Sequence, residues 1–237
     1  MKIAELTYMD VPTESLALIP LGSLEQHGPH LPLGTDAFIA EYVANEVEGA
    51  FPDRVLLFPT VFITASMEHV GFRGTAYVGY ETLLQYIMDI VRSVSEWCKG
   101  GIALINGHGG NVEVLNLVVK KWNYAGNKPR VIHYYIYNKR VMGEINKYFR
   151  RFGHADSVET SIIAFINRKL VMWDRVGEVS NWGDVNSRRT MDINPGGVIG
   201  ELSRDSVNPD LGRIIIETMV NDLIAQLRSE FPEVMGK

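Results

Sequence analysis

Short apolar segments alternate along the chain with longer segments of helical periodicity. The apolar runs LALIPLG (residues 16–22), IALIN (102–106) and RVIHYYIYN (130–138) predict buried strands. The run RVLLFPTVFI (54–63) predicts another strand, and Pro59 within it indicates an edge or a bend. Helical spacing after each strand predicts a mostly parallel sheet that is covered by helices.

Start and stop signals bound the predicted helices. Thr35 is placed to cap a helix over 36–50, and Asn111 to cap a helix over 112–126. The helix that starts at residue 80 ends at Gly100–Gly101. Further helices are predicted over 139–150, 157–170 and 209–231. The segment 171–200 is irregular and long, which indicates a lid or an oligomer contact. The predicted fold class is α/β, a three-layer sandwich with helices on both faces of the sheet.

Composition narrows the class of protein. Of the 237 residues 46% are hydrophobic and 22% are charged, as in ordinary soluble proteins. The net charge of -5 disfavours a general nucleic-acid binder. The chain has neither a signal-like basic start with an apolar run nor the ~20 consecutive apolar residues that a membrane helix needs. We therefore expect a cytoplasmic enzyme or binding protein, with no membrane or nucleic-acid partner. Its single cysteine, Cys98, cannot form an internal disulfide.

The segment PLGSLEQHGPHLPLGTD (20–36) concentrates acids and histidines in a loop. Its prolines and glycines exclude a regular helix. Glu25 and His27 are two positions apart, so on an extended chain their side chains point to the same side. Asp36 closes the loop, and its two oxygens can bridge two ions. Oxygen and nitrogen ligands without thiolate suit Zn, Mn or Fe. The alternative is a solvated polar loop without chemistry.

Two further polar clusters follow later in the chain. His108 lies among glycines directly after a predicted strand, where reactive loops of α/β sheets are found. The alternative for this GHGG segment is an anion-binding nest at a helix N-terminus. His154 and Glu159 open a predicted helix, and a capped surface helix is the alternative there. Of six histidines, all but His133 lie in predicted loops beside Gly, Pro or an acid, which favours a metal site.

These motifs resemble those of the creatininase (creatinine amidohydrolase) family. The matching pieces are PLGSLEQHGPHLPLGTD, EHVGFRGT, NGHGGN, HADSVETS and, more loosely, GGVIGELSRDSVNPDLGR. They extend over nearly the whole chain. The resemblance implies a single α/β domain over residues 1–237, two divalent metal ions per chain and hydrolysis of a non-peptide C–N amide bond. It also implies a homo-oligomer, commonly a hexamer.

The resemblance also assigns expected roles to individual residues. Carried over by motif, the metal ligands would be Glu25, His27, Asp36 and His108, with Asp36 bridging, and His154 would handle the proton. Creatinine-hydrolysing members have a glutamate ligand where this chain has Gly110, so Glu159 becomes the candidate replacement. Weaker expectations for substrate contacts are Gly109, Gly110, Ser66, His69 and Trp182. His30 is expected to contact a ligand residue rather than a metal.

The predicted reaction is metal-assisted amide hydrolysis on a small-molecule amide, with His154 giving a proton to the leaving nitrogen. The leading substrate is a cyclic amide such as creatinine. Gly110 and the lack of matching aromatic gate residues weaken that choice. Arg150 and Arg151 favour a formamide on a pyrimidine nucleotide, as in the related archaeal deformylases of flavin and deazaflavin biosynthesis. An alternative from a different class is a non-catalytic module that binds phosphate at GHGGN.

Overall fold

A parallel sheet forms the centre of the computed structural model, which describes residues 1–236. Strands β1 (Leu16–Leu21) and β3 (Ile102–Asn106) lie side by side, with β2 (Val55–Leu57) next to β1 and β4 (Val131–Tyr135) next to β3. All three strand pairs are parallel. β1 and β3 are buried along their whole length. Parallel strands covered on both faces have continuous apolar runs, which is why the sequence shows no alternation there.

Helices connect the strands and complete the chain. Their bounds are α1 Thr35–Ala50, α2 Tyr80–Ser95, α3 Val112–Tyr124, α4 Lys139–Ile145, α5 Ser157–Asn167, α6 Thr190–Ile193, α7 Pro209–Glu230 and α8 Pro232–Met235. Short 3-10 turns occur at Met67–His69 and Gly109–Asn111, among other places. Within residues 1–236, no helix combines the length and the apolar content needed to cross a membrane.

The two faces of the sheet bury separate apolar clusters. Leu16 and Leu18 of β1 pack with α1, α5 and α7 on one face. Ala17 and Ile19 pack with α2 and α3 on the other. Successive strand residues point to opposite faces, so one apolar strand supplies both clusters. The prediction of an α/β fold with a mostly parallel sheet and helices on both faces is confirmed.

Several predicted boundaries differ from the structure. The second strand ends at Leu57, and the ladder resumes only where Val61 bridges to Leu21. Pro20 of β1 has no amide hydrogen to donate at the position between. α4 ends at Ile145 rather than residue 150.

Both predicted side-chain caps are wrong. The Thr35 hydroxyl donates to the carbonyl of Pro32 at 2.7 Å, and Gly34 is the residue before α1. The Asn111 side-chain amide donates to the carbonyl of Gly22 at 3.0 Å and accepts from the amide of Ala65 at 3.2 Å. Thr35 bonds within its own loop and Asn111 joins loops distant in sequence, so neither side chain bonds to the amides at the helix start.

The irregular segment 171–200 returns to the carboxyl ends of the strands. It contains the antiparallel pair β5 (Val179–Asn181) and β6 (Gly200–Leu202) with α6 between them in sequence. Just before β6, Ile199 exchanges two backbone hydrogen bonds with His154, at 2.6 and 2.9 Å. This exchange joins the returning segment to the loop that carries the predicted proton-handling residue.

Candidate metal centre

Acidic and histidine side chains converge beyond the carboxyl ends of β1 and β3. Glu25 and His27 follow β1, His108 follows β3, and Asp36 lies in the first turn of α1. Their side chains are all buried. Adjacent parallel strands end at the same edge of the sheet, which brings loops distant in sequence to one place.

Asp36 lies between two histidines. Its Oδ1 is 3.2 Å from Nε2 of His27, and its Oδ2 is 2.9 Å from Nδ1 of His108. The hydroxyl of Ser23 also donates to Oδ2, at 2.7 Å. The two oxygens of one carboxylate therefore face different imidazoles, as required of a group that bridges two ions.

Glu25 is fully buried, and neither of its oxygens accepts a hydrogen bond from residues 1–236. Its Oε1 lies 3.1 Å from Nε2 of His69 and 3.7 Å from Nδ1 of His154. Its Oε2 lies 3.3 Å from Nδ1 of His108. A buried carboxylate without donors is strongly unfavourable, unless a positive charge compensates it. A divalent cation bound among these groups would supply that charge.

Glu159 approaches the same cluster from α5. Its Oε2 accepts a hydrogen bond from the amide of Ala155 at 2.6 Å and lies 3.8 Å from Nε2 of His27. Asp156 caps α5 by accepting from the amides of Val158 and Glu159. The cap fixes the start of the helix and so the direction in which Glu159 points.

His154 lies at the centre of a histidine cluster. Its ring centroid is 4.3 Å from that of His27 and 4.2 Å from that of His69. Potential ligand atoms lie within 4.8 Å of one another in three groups. The groups are Glu25–His69–His154, His27–His154–Glu159 and Glu25–His27–Asp36. Carboxylate oxygens and imidazole nitrogens without thiolate suit Zn or Mn, so the donor set fits the metals expected from the sequence.

Electrostatics in the cluster favour cations. Burial lowers the pKa of His27, but the carboxylates of Asp36, Glu159 and Glu25 outweigh it and raise that pKa to about 9. Burial also opposes ionisation of Asp36, yet His27 and His108 hold its pKa well below the usual range. Burial raises the pKa of Glu159 to about 8. Without a metal, protons take the place of the cations, and metal binding would release them.

The pKa of His154 is shifted in the opposite direction to that of His27. Burial, together with the nearby His69 and His27, holds its pKa well below the ordinary value. Its Nε2 lies 2.9 Å from the backbone oxygen of Gln26 and 2.7 Å from that residue's side-chain nitrogen. Gln26 therefore contacts Nε2 of the ring, and the other nitrogen, Nδ1, faces the acid–histidine cluster.

The structure adds residues that the sequence did not single out. Glu68 places Oε1 3.3 Å from Nε2 of His108. Gln26 contacts His154 and also lies 2.9 Å from Nδ1 of His69. Both are in motifs quoted above, next to predicted residues, and that adjacency was their only signal in the sequence. Tyr135, the last residue of β4, and Tyr137 just after it also line the cleft, and no motif in the sequence marks them.

Four of the five expected substrate-contacting residues lie in the cleft wall, and Ser66 does not. Gly109, Gly110, His69 and Trp182 line the cleft above the cluster. Ser66 is fully buried and does not line the cleft, and its hydroxyl has no hydrogen-bond partner within residues 1–236. His30 places Nε2 2.8 Å from the hydroxyl of Thr160.

Gly110 lies where a side chain would collide with its surroundings. A Cβ there would come within 2.6 Å of the carbonyl of Ala65, Oε1 of Glu68 and Nε2 of His108. The carboxylate of Glu68 thus fills space next to Gly110, the position at which the family resemblance implies a glutamate in creatinine-hydrolysing members.

The cleft over the cluster has a volume of about 970 Å³. Its walls come from the loops after β3 and β4, the start of α3 and the segment after β5. The charged residues that line it are acids and histidines: Asp36, Glu68, Glu113, Glu159, Asp184, His69, His108 and His154. Arg151 lies close by, with its guanidinium 5.0 Å from the ring centre of Trp182.

Known proteins resemble this chain in both sequence and fold. The family profile described as "Creatininase: Creatinine amidohydrolase" matches residues 2–227. The mycofactocin precursor peptide peptidase of Mycobacterium ulcerans (strain Agy99) is 32% identical over 223 residues, which cover 89% of this chain and 83% of that protein.

A second relative and a solved structure extend the comparison. The 2-amino-5-formylamino-6-ribosylaminopyrimidin-4(3H)-one 5'-monophosphate deformylase of Methanothermus fervidus is 28% identical, over 90% of this chain and 84% of its own. A solved structure named "Creatininase Mn" superimposes with a TM-score of 0.80 and 22% identity, covering 98% of each chain. The chain belongs to the creatininase family of hydrolases, as its motifs predicted.

Proposed function

We propose that this protein is a metal-dependent amidase that cleaves an amide bond in a peptide. The carrying observation is the cleft of about 970 Å³ directly above the acid–histidine cluster. Pockets for drug-sized ligands measure roughly 300–1,000 Å³, so this one is far larger than a single small ring such as creatinine requires. The peptidase from M. ulcerans supports the same substrate class.

Two divalent ions per chain are part of the proposal. Asp36 would be the ligand shared by both ions, because each of its oxygens faces a different histidine. Glu25 and His108 lie on one side of it, and His27 and Glu159 on the other. The solved relative named as a manganese form supports Mn, and the donor set also suits Zn. Bound divalent ions would activate a water molecule and polarise the amide carbonyl.

His154 handles the proton in this proposal. Its low pKa makes the ring neutral at pH 7, so Nδ1 first accepts a proton and then gives it to the leaving nitrogen. In this tautomer the Nε2–H donates to the backbone oxygen of Gln26, which fixes the orientation of the ring. Gly109 and Gly110, at the turn before α3, line the cleft, and their backbone amides would donate to a developing oxyanion.

A formamide on a pyrimidine nucleotide is the second candidate substrate. The observation that favours it is Arg151, which stacks on the cleft residue Trp182 and would meet a phosphate. Against it, the charged residues in the cleft wall are acids and histidines. No Lys or Arg is among the described residues that line the cleft, so a phosphate would find no such partner there, and the peptide remains the leading candidate.

The test offers competing substrates to the full-length protein. Mn- or Zn-loaded enzyme is incubated with a library of random pentapeptides, with creatinine and with the formylated pyrimidine nucleotide, and products are identified by mass spectrometry. We expect peptide fragments that disappear with EDTA and return with metal. Hydrolysis of creatinine or the nucleotide alone would replace the proposal with the corresponding non-peptide activity. Absence of bound metal after supplementation would instead favour a non-catalytic phosphate-binding module.

A further inference from the structure

Tyr137 lies in the wall of the cleft, and its buried hydroxyl has no partner within residues 1–236. The residue follows β4, lines the cleft beside Glu159 and His154, and is only 5% exposed. Its hydroxyl forms no hydrogen bond with any of residues 1–236. A buried donor without an acceptor is unfavourable by about 1–3 kcal/mol, so such a group in a binding cleft suggests a partner from outside the chain.

The surroundings keep this hydroxyl protonated and fixed. Burial, followed by the carboxylates of Glu159 and Asp36, holds the pKa of Tyr137 well above its usual range. Its ring packs 4.4 Å from that of Phe152 and 5.8 Å from that of Tyr135, measured between centroids. The phenol is therefore a donor in a fixed orientation, which costs little entropy when a ligand binds.

We propose that Tyr137 binds substrate by donating a hydrogen bond to a carbonyl oxygen other than the one under attack. This inference rests on the proposed amidase function, because it assumes an amide in the cleft. A substrate with several carbonyls, as in a peptide, supplies such an acceptor. An amide with a single carbonyl does not.

Tyr134 provides a matched control. It is three residues away and equally buried, but its hydroxyl lies 3.1 Å from both the carbonyl of Met219 and Oδ2 of Asp222 in α7. It does not line the cleft. The hydroxyl of Tyr134 therefore has acceptors within the protein, whereas the hydroxyl of Tyr137 has none within residues 1–236.

The experiment compares Tyr137→Phe with Tyr134→Phe in the full-length, Mn-loaded protein. For Tyr137→Phe we expect an unchanged or higher Tm, unchanged Mn affinity by titration calorimetry, and a KM about 5–20-fold higher for a cleaved pentapeptide. For Tyr134→Phe we expect a Tm lower by about 2–6 °C and an unchanged KM.

Three results would overturn the inference. These are an unchanged KM in Tyr137→Phe, a loss of Tm as large as that of Tyr134→Phe, or a loss of Mn affinity. The second would reveal an acceptor within the protein, and the third would make Tyr137 a positioning residue for a metal ligand.

A binding probe separates this inference from the proposed function. If the wild-type enzyme cleaves no pentapeptide, the proposed function fails. Tri-alanine hydroxamate, a peptide that chelates metals, then measures binding without turnover. We expect Tyr137→Phe to bind it about 5–20-fold more weakly than the wild type does. Equal binding, or no binding to the wild type, contradicts the role of Tyr137.

Discussion

Nδ1 of His108 lies 2.9 Å from Oδ2 of Asp36, although the two residues are 72 positions apart. The contact joins the loop after β3 to the first turn of α1. The other oxygen of the same carboxylate faces His27. Asp36 is thus the group through which the two halves of the proposed metal centre are connected, and several expectations follow from its position.

Replacement of Asp36 by Asn should remove both metals and nearly all activity. An amide carries no charge and is a poor bridging ligand, so His27 and His108 would lose their shared partner. Metal content per chain is measured by elemental analysis. The matched control is Asp89→Asn, an exposed acid on α2 that pairs with Arg92. Full metal content in Asp36→Asn would contradict the bridging role.

Replacement of Glu68 by Gln should weaken metal binding about 10–100-fold without unfolding the protein. Nε2 of His108 lies 2.9 Å from the carbonyl of Ala65 and 3.3 Å from Glu68, and these two contacts orient the ring so that Nδ1 faces Asp36 and Glu25. Titration calorimetry with Mn measures the affinity. Glu81→Gln, at the exposed start of α2, is the control and should bind as the wild type does. An equal affinity in both variants would exclude Glu68 from this role.

A methyl group at Gly110 should destabilise the fold by about 1–3 kcal/mol and weaken metal binding. The added carbon would meet the carbonyl of Ala65, which the backbone holds in place, as well as Glu68 and His108. Gly49→Ala in α1 is the control, because no atom lies within 4 Å of its added carbon. That variant should gain about 0.4–1 kcal/mol. Urea unfolding measures both, and similar free energies for the two variants would contradict the predicted collision.

His133 should make the protein less stable in mild acid. Burial lowers its pKa to about 4, and its Nε2 has no hydrogen-bond partner within residues 1–236. Between pH 6.5 and 4 the unfolded chain binds a proton that the folded chain does not, so stability falls as the pH falls through this window. The slope from this group is at most about 1.4 kcal/mol per pH unit.

The measurement compares urea unfolding of the wild type and His133→Gln at several pH values. Other buried histidines titrate in both proteins, so the difference between the two curves isolates His133. We expect that difference to change with pH below 6.5 and to be constant above it. A constant difference throughout the range would show that His133 is protonated equally in the folded and unfolded chains.

Local sequence patterns were sufficient to predict the main strands and helices and the polar loops of the site. Apolar runs fixed the order of strands, and helical spacing fixed the layers on both faces, because burial of a strand or helix face depends on neighbouring residues in the chain. The polar loops also stood out in the sequence, since Glu25 and His27 share a side at spacing two, and glycines surround His108. The family followed from the same motifs.

Only the tertiary structure decided which side chains meet. Thr35 and Asn111 look like helix caps in the sequence, yet the Thr35 hydroxyl bonds to Pro32 in its own loop and the Asn111 amide bonds to Gly22 in a distant one. Glu68 is in a quoted motif whose sequence gives it no role, and Tyr137 is in no motif; both reach the cleft because the parallel strands end at one edge of the sheet. Sequence patterns report what neighbouring residues do together, whereas contacts such as Asp36–His108 depend on how helices and loops pack on the sheet.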